Sequence, residues 1–179
     1  MADLTKPGNV IIDFVTGKEI PDVGPEANRQ RVERVLVEQK GYAKEDIEVD
    51  APLEVEIAGK EYRSSVDLVV SVDGKRLMAV KCAAGSLGSR EREIIAASRL
   101  LDNYQIPFSV ASDGKTAIVL DTVSGKKLGE GLHAIPAKEE IKKSSSATRP
   151  QPLPEKRFEK EKLIFRSYDS MNVNVTRNM

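Results

Sequence analysis

The apolar positions of this chain change period several times, and each change marks an element. Val10 to Phe14 form a short apolar run closed by the turn residues Thr16, Gly17 and Lys18, which predicts a small strand or hairpin at an edge. From Gly24 and Pro25 onward the spacing becomes helical. Val32, Val35, Leu36 and Gln39 fall on one stripe, Pro25 suits a first turn and Gly41 stops the segment, so a helix is expected from about Pro25 to Lys40. Strand-like runs follow at Leu53 to Ile57, Ser65 to Val72 and Arg76 to Cys82, divided by the turn pairs Ala58-Gly59 and Asp73-Gly74. The consecutive apolar residues Leu68, Val69 and Val70 point to a central strand covered on both faces.

After the loop Ala84 to Ser89 a second amphipathic helix begins, with Ile94, Ala97, Leu101 and Tyr104 on its stripe, and it ends before Pro107. Phe108 to Ala111 and Thr116 to Leu120 read as two further strands around the Asp113-Gly114 turn. The order helix, three strands, helix, two strands predicts an α/β fold: a mixed sheet of about five strands flanked by helices. Lys143 to Pro154 has linker composition, and Glu155 to Tyr168 offers a charged helix with Leu163 and Ile164 as its few apolar residues. The expected organisation is a domain over 1–142, a linker over 143–154, and a C-terminal charged helix and tail over 155–179. That helix either docks on a second subunit, which would make the chain a structural or assembly module, or is a solvated helix.

Composition narrows the function classes. The 179 residues carry 28 Lys plus Arg against 28 Asp plus Glu, so no net field draws the chain to phosphate polymers, and nucleic-acid binding requires a local patch. Four Phe, four Tyr and no Trp leave few aromatic anchors for base stacking. A single cysteine, Cys82, excludes an internal disulfide and a cysteine-based zinc cluster. Met1 to Asn9 lacks a signal pattern and no apolar run approaches the roughly 18 residues of a membrane span, so a cytoplasmic location is expected.

The local wording resembles a known family. Pro25 to Val32 (PEANRQRV), Gln39 to Tyr42 (QKGY), Ser65 to Val70 (SVDLVV), Met78 to Lys81 (MAVK) and Leu101 to Pro107 (LDNYQIP) look like the N-terminal domain of type I restriction enzyme R subunits. The resemblance covers roughly Val10 to Glu140. It implies a restriction-endonuclease-like core of the PD-(D/E)XK superfamily, one or two Mg2+ ions held on carboxylates, cleavage of DNA phosphodiesters, and either a homodimer or separate restriction-modification subunits as partners. No helicase motor is encoded in this chain: Gly114-Lys115-Thr116 imitates the end of a nucleotide-binding loop but lacks the upstream glycine.

Metal-dependent hydrolysis of a phosphodiester needs hard oxygen ligands converging on the ion and a cation beside the attacking water or the scissile phosphate. By resemblance Asp67 takes the first metal position and Lys81 the catalytic lysine. Residues 79 and 81 share a strand face, and the family pattern expects an acid at 79, where this sequence has Ala79. Glu93 lines up with Ala97, Leu100 and Tyr104 and is the substitute ligand expected from the second helix, with Glu91 next and Glu26 on the first helix as a further acid. Each has an ordinary alternative. Glu26, Glu91 and Glu93 stand in first turns of helices, where the helix dipole favours carboxylates. Asp67 fits a strand-end carboxylate bonded to backbone, and Lys81 a snorkelling surface lysine. Two functions therefore stay open: a Mg2+-dependent endodeoxyribonuclease using Asp67, Lys81 and Glu93, and a degenerate nuclease fold that binds nucleic acid or protein without cutting. Cys82, alternating away from Lys81, reads as a buried inert thiol, and His133 as a surface or packing residue.

Overall fold

A computed structural model describes residues 8–147 and 149–177. The reading of the N-terminus over Met1 to Asn9 and the last residues of the tail lie largely outside them. Strand β1 (Val10–Ile12) pairs antiparallel with β2 (Glu19–Pro21), forming the small hairpin expected at the start. Helix α1 follows (Glu26–Arg34), prolonged by one wider turn over Val35–Gln39. The main sheet comprises β3 (Ile47–Ile57), β4 (Lys60–Val72), β5 (Lys75–Cys82), β6 (Phe108–Ser112), β7 (Ala117–Asp121) and β8 (Lys127–Glu130), neighbours in that order. All pairs are antiparallel except β5 and β6, which run parallel. A parallel pair needs a crossover, and helix α2 (Glu91–Leu100) supplies it.

The sheet is covered on both faces, which is why its central strands are apolar throughout. On one face Val32 and Leu36 of α1 pack with Leu68, Val70, Met78 and Val80; on the other, Ile94, Ile95 and Ala97 of α2 pack with Val69, Ala79 and Leu120. The mixed α/β fold is the expected one. The sixth strand was illegible because Lys127 to Glu130 contains a single large apolar residue, Leu128, which is exposed. Helix α3 (Lys138–Ala147) runs past the boundary placed at Lys142, so the expected linker is helical as far as Ala147; Ile141 is its buried anchor. Helix α4 (Glu155–Arg177) docks on α2 rather than standing in solvent. Its own Glu161 and Phe165 are buried, and Phe165 meets the Tyr62 ring edge-on.

The hairpin is joined to α1 by a buried polar knot. Asp13 accepts hydrogen bonds from the Val15 and Thr16 backbone N–H groups and from the Gln30 amide. Glu33 faces it, is 0% exposed, and has neither carboxyl oxygen in a hydrogen bond of standard geometry. Burial and the neighbouring Asp13 push the Glu33 carboxyl up to about 8. A carboxyl raised in the folded chain contributes stability below its unfolded pKa and loses it as pH climbs through the folded value. Stability is therefore expected to fall between about pH 4.5 and 8 through this group. Glu33→Gln keeps the shape of the protonated acid and removes the titration. Thermal melts across that window should show a flatter profile and a higher Tm at pH 8 for the variant. Parallel profiles for the two proteins would remove Glu33 as the cause.

Candidate functional site

Turn geometry and one irregularity decide which side chains meet near the end of β5. The β4–β5 hairpin pairs Val72 with Lys75 and Ser71 with Arg76, then shifts register by one residue, so that Val70 faces Met78, Val69 faces Ala79 and Leu68 faces Val80. Leu77 is the extra residue of this bulge. Continued by one step, the shifted register brings Asp67 to Lys81. Lys81 Nζ lies 3.8 Å from Asp67 Oδ2, and the same oxygen accepts the Cys82 backbone N–H at 2.7 Å. Asp67 thus caps the end of β5, where the regular ladder has stopped.

On its other side Asp67 neighbours β3, whose ladder is also interrupted there: Val49 pairs with Leu68 and Ala51 with Val66, while Asp50 stays unpaired with a φ of 53°. Aspartate tolerates this left-handed conformation better than most residues, and the twist frees its carboxylate for Arg29. The Arg29 guanidinium, buried on α1, reaches Asp50 at 2.8 Å, Glu26 at 2.7 Å and Asp13 at 3.7 Å. Neither Asp50 nor Arg29 was singled out by sequence reasoning. The signal was faint: an acid within an alternating strand, and an arginine among the many polar positions of α1.

From α2, Glu93 points at the sheet as its helical spacing requires. It is 3% exposed, and its Oε1 stands 3.6 Å from Lys81 Nζ while Oε2 is 3.4 Å from Arg90. The lysine therefore bridges the two carboxylates. Burial works against its charge, but Asp67 and Glu93 outweigh that and raise its pKa. Burial raises Asp67, with Lys81, the Cys82 N–H and Arg29 pulling the other way. Burial likewise raises Glu26, opposed by Arg29 and reinforced by the charges of Asp50, Asp67 and Asp13, so Glu26 shares the electrostatic neighbourhood of Asp67.

Of the expected site residues, Asp67, Lys81 and Glu93 come together, while Glu26 is paired with Arg29 and reaches Asp67 only through the electrostatic field. Glu91 does not; its charge is felt by Lys127 on β8. Ala79 is 0% exposed, faces Val69 and packs under α2, so the residue set against Asp67 is 81 and not 79. Cys82 is buried, with its thiol pushed well up by burial, as its alternation implied. His133 is exposed, and Gly114 to Thr116 lie within the hairpin turn between β6 and β7.

As arranged, the carboxylates are turned to cations of the chain rather than to one common point. Two or more carboxylates must turn oxygens to one point, yet each acid here is turned to a resident cation: Asp67 and Glu93 to Lys81, Glu26 and Asp50 to Arg29. Among the described residues no group of three or more His, Cys, Asp or Glu side chains converges as an ion would require. An ammonium between two carboxylates supplies locally the positive charge that a metal would otherwise bring.

Comparison with known proteins adds one finding. Residues 24–136, more than half of the chain, match the family described as type I restriction enzyme R protein N terminus, and that span includes Glu26, Asp67, Lys81 and Glu93. No curated protein and no solved structure matches.

Proposed function

Because the chain belongs to the type I restriction enzyme R protein N-terminal family, we propose that it acts as a nuclease-type domain that holds nucleic acid without cutting it. The observation that carries this reading is Lys81 standing across from Asp67, between that carboxylate and Glu93. In the alternative, a Mg2+-dependent cleavage, the acid facing Asp67 would complete the ion's ligands and a lysine would stand free beside the scissile phosphate. Here the lysine is engaged by both carboxylates, and the next position on that face is Ala83, which is buried and carries no charge.

DNA is the partner this lineage favours, and with equal numbers of acidic and basic residues any hold on it must be local. Arg31 is exposed on α1 against the β6–β7 turn at Gly114, and Arg90, which also meets Glu93, leads into α2 beside the loop Ala84 to Ser89, so each helix offers one cation for such a hold. Among the described residues no helix is long and apolar enough to cross a membrane.

Plasmid incubated with the protein in Mg2+ or Mn2+ is expected to stay supercoiled, while a gel shift of duplex DNA persists in EDTA and weakens as salt rises. Divalent-dependent nicking that disappears in a folded Asp67→Ala variant would overturn this and restore the cutting role of Asp67, Lys81 and Glu93. Loss of the gel shift in EDTA would do the same for metal-independent binding.

A further inference from the structure

The opposite end of β5 carries a second feature that the family site does not use. Lys75 opens β5 and Phe108 opens the parallel strand β6. Lys81 is six residues further along, roughly 20 Å at the rise of a strand. Between these strand starts, α3 and the segment after it lies a cleft of about 320 Å³. That volume is at the small end of ligand sites and suits a molecule of one or two rings.

Its wall has three chemistries. Leu77, the extra residue of the bulge, lines it together with Pro107 and Phe108, giving an apolar floor that includes an aromatic ring. Lys75 and Arg149 supply two exposed cations, neither in an ion pair among the described residues, against one acid, Asp121, whose Oδ2 already accepts the Ser124 N–H. Gln105 is the third element. It is 3% exposed, and the segment after α3 pins it: its backbone N–H donates to the Gln151 carbonyl at 2.8 Å and its Nε2 to the Pro152 carbonyl at 3.4 Å. That orientation leaves Oε1 as an acceptor with no hydrogen-bond partner. A buried amide oxygen without a donor costs stability, and a protein that retains one commonly fills it from a ligand or from water.

Taken together, these groups ask for a ligand that is flat and apolar in its body, anionic at one end, and able to give an N–H. We propose that the cleft binds a nucleoside monophosphate, with the base against Phe108 and Leu77, an amino N–H donated to Gln105 Oε1, and the phosphate between Lys75 and Arg149. The same chemistry is offered by a free nucleotide and by the phosphorylated end of a strand.

Amide NMR titration of the full chain separates these cases, using AMP, purine riboside 5′-monophosphate, which lacks the amino group, and a short single strand with a 5′-phosphorylated adenosine. AMP at millimolar concentration is expected to shift the signals of Lys75, Phe108 and the Gln105 side-chain amide. The analogue without the amino group should bind roughly tenfold more weakly, because the buried acceptor is then left without a donor. Lys75→Ala, an exposed position after a turn, should fold normally and weaken AMP; Gln105→Met should erase the difference between AMP and its analogue. If the oligonucleotide shifts the same signals the ligand is a strand end, and if only AMP does it is the free nucleotide; either result supports the site. No shift with AMP, or shifts equal for both nucleotides and indifferent to Lys75→Ala, overturns it.

Discussion

Lys81→Glu is expected to turn a chain indifferent to manganese into one that manganese stabilises. The substitution removes the ammonium that holds Asp67 and Glu93 and sets a third carboxylate directly across from Asp67. Without metal the variant should melt below the parent, since three acids then share a half-buried space with reduced positive charge. With metal in hundredfold excess over its Kd, binding to the folded state alone contributes about 2.7 kcal/mol. For a chain of 179 residues that corresponds to a rise of roughly 5–10 °C, against no shift for the parent. Lys81→Met is the control, as it removes the ammonium without adding a ligand. Equal indifference to manganese in parent and Lys81→Glu would mean the carboxylates do not converge, and the view of Lys81 as a resident stand-in for a metal would fall.

Glu161→Leu should cause the largest loss of stability among single changes outside the apolar core. Glu161 of α4 is 0% exposed, and its Oε1 accepts from Arg92 and Arg99 at 2.7 Å each, with Arg157 at 3.8 Å. Those hydrogen bonds and charges hold its pKa below the usual value despite burial. Arg99 is itself buried; its Nε and Nη2 donate to the Thr122 and Val123 carbonyls, so it cannot leave with its partner. Removing the anion strands a buried guanidinium, a loss of about 3–5 kcal/mol in comparable cases. The total stability of a domain is only about 5–15 kcal/mol, so urea or thermal melts should show it plainly. Arg99→Leu combined with Glu161→Leu should recover part of the loss, because both charges then leave together. A Glu161→Leu melt within a degree of the parent would mean that α4 is held by Phe165 and the Asp169 bonds to Tyr62 and Ser64 alone.

Where spacing alone sufficed, the sequence was a reliable guide. The helical stripe of Val32, Val35 and Leu36, the triple run Leu68 to Val70 and the turn at Asp73-Gly74 all lie where their periods place them. So does Glu93, whose position on the stripe of Ala97 brings it to the sheet. The rest depended on partners distant in the chain. A charged helix over Glu155 to Tyr168 looks solvated until Arg92 and Arg99, more than sixty residues earlier, are seen to receive Glu161. Lys127 to Glu130 forms a strand through its ladder with β7, with no alternation of its own to announce it. At the site, alternation showed that 79 and 81 share a face but was silent on which of them meets Asp67.

That last choice belongs to Leu77. If the hairpin kept the register of its turn, Val80 would sit across from Asp67 and Lys81 would swing to the α1 face, towards Leu68 and Val70, while Cys82 would leave that face. One residue more or less in this arm thus inverts which chemistry the strand offers at its tip, a larger change than any point replacement there could bring. Insertions and deletions, rather than substitutions, are the events this hairpin is built to refuse.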